Sequence, residues 1–380
     1  MAFTMETTSR DLRSATVERE LRLCRTPAQR VGLTLLLIAV VAVPLSVGSP
    51  FLSTLITLVA IGTVGAIGLN LSMGYAGQIS LGHGFFLAVG AYTAAKVGGD
   101  WGLPLPVWLI AAAAVSGLVG MVIGLFALRL RGTYLAIVSL GLVFFGIYLF
   151  NNWTSLSGGV NGRSFDLPVS IGSVDFTGLA IGSQVYTREQ SLGVLYWIVA
   201  ALCLLLAHNI VRSGFGRAML AVREQDIAAE VLGVRLFRTK VAALAAGSAM
   251  GGVAGALLVN ELRYALPSGF DLNMSIQYVA MIVIGGMGTT YGPLLGAAFV
   301  TAFPQLINRY ADQIPFVKST TSSGFGITKD NAGLLVYAVL IIVTLLVAPG
   351  GLSGLGARLR QLLHRVTSRR RDRTAKATSK

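Results

Sequence analysis

The apolar residues of this chain are gathered into runs of about 17–25 residues, the length with which an α-helix crosses the hydrocarbon core of a bilayer, and polar or charged segments separate the runs. Backbone amides and carbonyls in hydrocarbon must find partners within the protein, so runs of this length are expected as helices. The fold class that follows is all-α, a polytopic integral membrane protein. Only 12% of the residues are charged and 54% are hydrophobic, whereas a soluble domain carries roughly 25% charged residues.

The expected spans are Val31–Val47, Phe51–Leu71, Ile79–Val97, Leu105–Leu128, Tyr134–Phe150, Leu192–Val211, Val241–Val259, the glycine-interrupted pair Ser275–Ile284 and Pro293–Ile307, and Ala332–Val347. About ten transmembrane helices bring both ends to one side, and the charges agree. Under that topology 23 of the 30 lysines and arginines fall on the cytosolic side: in the tail 1–30, at Arg129 and Arg131, in the loop 212–240 and in the basic tail 353–380. The seven external ones are Lys96, Arg163, Arg188, Arg263, Arg309, Lys318 and Lys329. Eight spans with re-entrant segments also satisfy the termini. A transmembrane domain over 31–352 is thus expected, with both termini cytosolic and external loops at about 151–191 and 309–331.

The net charge of +14 raises nucleic-acid binding, but the positive charge sits in tails and loops as the positive-inside rule distributes it, not on one folded face. The basic C-terminal tail is expected near anionic membrane lipid. Cys24 and Cys203 form neither a metal-spaced cluster nor a disulfide framework, and no metal or cofactor is expected.

Every Asp and Glu lies in a predicted loop, tail or span end. Proton-coupled pumps usually place a carboxylate or histidine in mid-membrane; His83 alone stands in that class, and a lone histidine is more often packed or hydrogen-bonded. Energy coupling is therefore expected from outside the spans, although sodium held by backbone carbonyls escapes this reasoning. The chain also lacks a Gly-x-x-x-x-Gly-Lys-[Ser/Thr] phosphate loop, so ATP hydrolysis belongs on another polypeptide. An enzyme reading needs convergent acids, bases or metal ligands, and His83, His208 and His364 are far apart.

Three segments carry functional signals. Between two apolar runs lie Asn70, Gly74, Tyr75, Gly77, Gln78, Ser80, Gly82, His83 and Gly84, and glycine at that density loosens a helix. A counterpart, Gly285, Gly286, Gly288, Thr289 and Gly292, interrupts the pair near the C-terminus. Unwound backbone at membrane depth is tolerated where it is buried or lines a cavity, so both breaks are candidate substrate-pathway segments; close helix packing through small residues is the competing account. The third segment is the loop with Arg217, Arg223, Glu224, Asp226, Ala228, Ala229, Glu230 and Gly233 among Met219, Val222, Ile227 and Leu232. It is expected to form a short amphipathic helix capped near Gly233, with a mixed charge that favours a protein partner over lipid.

At these residues the chain resembles the permease subunit of branched-chain amino acid ABC importers, the LivM-like kind. The resemblance spans Val31 to Leu352. It rests on Gly74-Tyr-Ala-Gly-Gln-Ile-Ser-Leu-Gly-His83, Arg131-Gly-Thr-Tyr-Leu-Ala-Ile137, Asn151-Asn-Trp-Thr-Ser-Leu-Ser-Gly-Gly159, Gly216-Arg-Ala-Met-Leu-Ala-Val-Arg-Glu224 and Gly285-Gly-Met-Gly-Thr289. It implies an ABC importer permease fold with two pseudo-related halves, working with a second homologous permease subunit, two cytosolic ATP-binding subunits and an external solute-binding protein. The loop is similar to the segment that such permeases insert into an ATPase. Ala228-Ala229 and Gly233 keep its Glu-Ala-Ala…Gly spacing, with Ile227 at the place of the Glu. The implied solutes are leucine, isoleucine and valine; urea, short amides and aromatic acids also suit an apolar, glycine-rich path. An ion-coupled secondary transporter is the rival from another class, and it leaves the loop 212–240 without a task.

Overall fold

The computed structural model describes residues 44–127 and 134–310 apart from 172–173, 179 and 182–183, together with residues 42, 317–318, 327–328, 342 and 351–353. Most of the first expected span, all but one residue of the last, Arg129, Arg131 and the two tails lie outside the described residues.

Helix α1 covers Pro50–Leu69 and continues as a π-helical turn, Asn70–Tyr75. Helix α2, His83–Ala94, likewise ends in a π-helical turn, Ala95–Asp100. Helices α3 (Leu105–Ala127) and α4 (Tyr134–Asn152) follow. A short helix α5 (Thr154–Ser157), strand β1 (Arg163–Ser164) and two small hairpins, β2–β3 (Ser170–Ile171, Val174–Asp175) and β4–β5 (Ala180–Ile181, Gln184–Val185), occupy the connection to α6 (Arg188–Arg212). Two short helices, α7 (Gly214–Glu224) and α8 (Asp226–Val231), lead into α9 (Leu236–Leu262). Strand β6 (Tyr264–Ala265), α10 (Leu272–Gly285) and α11 (Gly292–Tyr310) come next, then the two-residue strands β7 (Val317–Lys318) and β8 (Ile327–Thr328). Among the described residues five helices are long and apolar enough to cross a membrane, those within Pro50–Tyr75, Leu105–Phe126, Tyr134–Asn152, Arg188–Arg212 and Leu236–Leu262.

The expected spans agree with these helices to within a few residues at most ends. One difference is informative: α2 starts at His83, not Ile79, because residues 78–82 run non-helically before it. Within the polar connection 151–191, β1 pairs antiparallel with β6 and ties Arg163–Ser164 to the α9–α10 turn.

Helix α9 is the axis of the bundle and packs on α1, α2 and α3. The approach is backbone to backbone. A β-carbon at Gly247 would lie 2.6 Å from the Gly68 carbonyl oxygen of α1, one at Gly255 only 1.9 Å from that of Leu87 in α2, and one at Gly252 2.6 Å from that of Ala112 in α3. Residues 247, 251 and 255 repeat every four positions and so share one face, the small-residue seam by which helices approach closely in lipid. A second seam joins α10 to α11, where a β-carbon at Gly296 would meet the Met281 carbonyl oxygen.

The bundle has two polar ends. At one, Asp100 accepts from Lys96 at 2.9 Å and also from Arg163, Arg163 lies over the Phe165 ring, and Arg309 of α11 lies 4.5 Å over the Phe51 ring at the start of α1. At the other end lie α7, α8 and the start of α9, where Lys240 and Asp226 pair at 2.6 Å.

Two predictions follow from this packing. Gly255→Ala should destabilise the detergent-solubilised protein by about 2–3 kcal/mol through overpacking. Gly141→Ala on α4, where a β-carbon meets nothing within 4 Å, should stabilise it by about 0.5–1 kcal/mol; equal effects in unfolding titrations would refute the seam. The Asp100 carboxyl is held below its ordinary pKa, first by Lys96 and then by Arg163. A depressed folded pKa stabilises above the unfolded value, and that stability is lost as pH falls through the lowered one. The melting-temperature gap between parent and Asp100→Asn should therefore hold above about pH 5 and narrow progressively as pH falls below about 4.

Candidate functional site

Helix α1 does not simply stop. Its last turn widens to a π-helix at Asn70–Tyr75, a distortion often found at functional sites, and this turns the Asn70 amide out of the helix. There Asn70 Nδ2 donates to the Thr289 carbonyl oxygen at 2.9 Å, while its Oδ1 accepts from the Gly288 amide at 2.8 Å. One side chain thus serves both polarities of a strand of backbone far away in sequence. The tight fit needs glycine at 74, where a β-carbon would fall 2.7 Å from the Gly288 nitrogen. Tyr75 Oη and Thr290 Oγ1 stand at 3.5 Å, the outer limit of a hydrogen bond.

The chain leaves α1 through Gly77, whose φ of +68° lies in the left-handed region open to glycine, and residues 78–82 run to α2 without helical bonding. Several polar groups along this stretch and at the start of α2 find partners on other helices. Gln78 Nε2 donates to the Lys240 carbonyl oxygen of α9 at 2.7 Å, and the Leu81 amide donates to Ser139 Oγ of α4 at 2.9 Å. The Gly84 amide, among the orphan donors of the first turn of α2, donates to Ser275 Oγ of α10 at 2.9 Å. His83 Nε2 sits 2.9 Å from the Gly65 carbonyl oxygen; a carbonyl only accepts, so Nε2 carries the proton. The His83 ring is buried and edge-on to Tyr278.

The second break follows the same logic. Gly286 and Gly288 both have positive φ. Thr289 Oγ1 donates to the Gly286 carbonyl oxygen at 2.8 Å and accepts from the Gly292 amide at 3.1 Å, closing the turn into α11.

The third segment forms two short helices. Ser213 caps α7 by accepting from the Gly216 amide, Met219 and Val222 are buried on its inner face, and Gly233, with φ of +84°, ends the α8 turn as expected. From the last turn of α7, Arg223 donates through Nη1 to the Gly74 carbonyl oxygen. Asp226 is engaged by Lys240. Ala229 is buried, whereas Arg217, Glu224, Ala228 and Glu230 are exposed. Beside them Ile227, Val231 and Leu232 are 80%, 84% and 81% exposed.

The three segments singled out in sequence therefore meet. Asn70, Gly74, Tyr75, Gly288 and Thr289 form one cluster with Arg223 above it, and Gly285, Gly286 and Gly292 complete the turn behind. Ser80, Gly82 and His83 lie further along the bundle. Two clefts lie along the breaks, the second of them lined by residues of the cluster. One of about 360 Å³ is lined by Gln78, Ser80, Phe86, Ser139, Leu244 and other apolar side chains; there Gln78 Oε1 is buried and accepts from no described group. The other, about 210 Å³, is lined by Asn70, Tyr75, Val211, Thr290 and their neighbours. Among the described residues no group of three or more His, Cys, Asp or Glu could hold a metal. Sequence reasoning missed the partners Ser139, Ser275 and Lys240, which carry no local signal, and the seam at 247, 251 and 255, whose four-residue glycine spacing was there to be read.

An apolar bundle in which five of the described helices are long enough to cross a membrane defines a polytopic membrane protein. The family described as the branched-chain amino acid transport system permease component matches residues 51–344, and the chain belongs to that family. It is similar to the high-affinity branched-chain amino acid transport system permease protein LivM of Salmonella typhimurium, 33% identical over 304 residues that cover 75% of this chain and 70% of that protein. LivM of Escherichia coli is 32% identical over 302 residues, with the same coverage. A more distant relative, the probable branched-chain amino acid transport permease protein LivH of Methanocaldococcus jannaschii, is 27% identical over 175 residues, 45% of this chain and 52% of its own length. No solved structure matches the chain.

Asn70→Asp keeps the acceptor for the Gly288 amide but sets a carboxylate oxygen against the Thr289 carbonyl. It should lower stability by about 1–3 kcal/mol, the cost of a lost buried bond, and quicken proteolysis at the 285–292 turn. A variant as stable and as protease-resistant as the parent would remove Asn70 from the clasp.

Proposed function

We propose that the chain is the membrane-spanning permease subunit of an ATP-driven ABC importer that moves branched-chain amino acids delivered by an external binding protein. Membership of the permease family and the names of the LivM relatives support the solute class. In this reading the end bearing α7 and α8 faces the cytosol, the Asp100–Arg163 end faces outward, both termini are cytosolic, and a second homologous permease completes the path.

The observation that supports ATP coupling best is the α7–α8 connection. Its inner face is packed on the bundle, while Ile227, Val231 and Leu232 form an apolar tip among the charges of Glu224, Glu230 and Arg235. Apolar side chains so exposed beside mixed charge suit a groove on a protein partner, and a partner ATPase supplies the hydrolysis that this chain, without a phosphate loop, leaves to others. The two breaks then serve as the moving backbone of the path. Its glycine-rich, uncharged lining suits a zwitterion, whose amino and carboxylate groups can meet helix ends and backbone dipoles. Switching requires that the ATPase bind two packings of the bundle with different affinity.

The test is co-purification in mild detergent of the tagged chain, as the parent and as Ile227→Asp/Leu232→Asp. The parent should bring down an ATPase and a second permease, and the variant should lose the ATPase about ten-fold, as expected for removal of an interface anchor. A parent that purifies alone and takes up leucine into liposomes without ATP would establish secondary transport instead.

A further inference from the structure

Arg223 was placed by sequence among residues facing a partner; it is exposed, yet its guanidinium reaches back to the bundle. It donates to the carbonyl oxygen of Gly74, in the π-turn that ends α1. That carbonyl belongs to the last turn of a helix, where the orphan acceptors and the negative end of the helix dipole favour a cation. The same side chain covers both breaks. A β-carbon at Gly288 would lie 2.3 Å from Arg223 Nη1, and one at Gly77 would lie 3.2 Å from Arg223 Cγ. The two breaks are already joined under it through Asn70. A second tie runs alongside: Lys240 pairs with Asp226 of α8 through its ammonium and accepts from Gln78 through its carbonyl.

We propose that Arg223 is the positioning residue that fastens the α7–α8 connection to both breaks at once, so that displacement of α7 is carried directly to Gly74 and Gly288. The inference rests on the importer reading only for the source of that displacement; the fastening itself is a property of this chain. Arginine suits the role because its planar fork of donors reaches a backbone oxygen while its stem packs over glycine. Positive φ favours glycine at 77 and 288, and the missing side chains leave the space in which Arg223 lies.

The test uses spin labels at Leu232→Cys on the exposed tip and Met287→Cys in the second break, with Cys24→Ser and Cys203→Ala removing the native thiols. The parent should give one narrow distance. Arg223→Gln, which lacks the charge and the reach, should broaden or shift it, and Arg223→Lys, which keeps the charge, should restore it in part. In the assembled transporter, if the importer reading holds, Arg223→Gln should still co-purify with the ATPase while ATP-driven uptake of leucine falls about ten-fold, a typical coupling factor. An unchanged distance distribution in Arg223→Gln overturns the proposal, with or without partners present. Loss of the ATPase on Arg223→Gln also overturns it, by making Arg223 a docking residue. Failure of the parent to bring down any ATPase overturns the importer reading alone, since the distance measurement on the isolated chain still decides the role of Arg223.

Discussion

Hydrocarbon offers no hydrogen bonds, and the structure is organised around that constraint wherever its helices are interrupted. Each amide or carbonyl that leaves a helix inside a bilayer costs several kcal/mol unless the protein supplies a partner. The stretches 74–84 and 286–291 set such groups within the bundle, and side chains from other helices answer several of them: Asn70 to Gly288 and Thr289, Ser139 to Leu81, Ser275 to Gly84, Arg223 to Gly74. The partners come from α1, α4, α10 and α7, so the breaks cannot form without the assembled bundle, and the bundle is locked in register by them. Interruption and tertiary structure are one interaction here.

The meeting of α2 and α10 shows how close this locking is. The first turn of α2 abuts the first turn of α10, with a β-carbon at Gly84 set to collide with Ser275 Oγ and with the carbonyl oxygens of Phe270 and Asp271. Two helices that both begin inside the protein face each other start to start, and both starts are capped: Ser275 serves α2, and Asp271 Oδ1 accepts from the Met274 amide in α10. Neither start is left as an open anion site in this packing.

Much of this was legible in the sequence because long apolar runs carry their own boundaries. The limits of α3 and α4 followed from where charge and glycine begin, and Gly233 was recognised as a helix stop, whereas α9 begins at Leu236, ahead of the expected Val241, because Arg238 and Lys240 lie within its first turns. The late start of α2 was not legible: Ile79 and Leu81 read as helix by hydrophobicity, and only the bonds that Lys240 and Ser139 offer make an extended path affordable there. The direction in which Arg223 points was hidden for a similar reason. An arginine on a charged loop looks solvent-facing until the carbonyl of Gly74, far away in sequence, is brought beneath it. The two breaks were visible as glycine clusters, but that they bond to each other depends on the amide of Asn70, whose spacing to Gly288 has no periodic meaning.

The glycine face of α9 has one more consequence. Knobs and holes hold neighbouring helices in fixed notches, and sliding one helix along another means lifting every knob from its hole. Along residues 247 to 255 there are few knobs to lift, since α1 and α2 come up against bare backbone. On such a face the register is held by the hydrogen bonds at the breaks more than by interlocked side chains. The residue that brings the helices closest also leaves them least toothed.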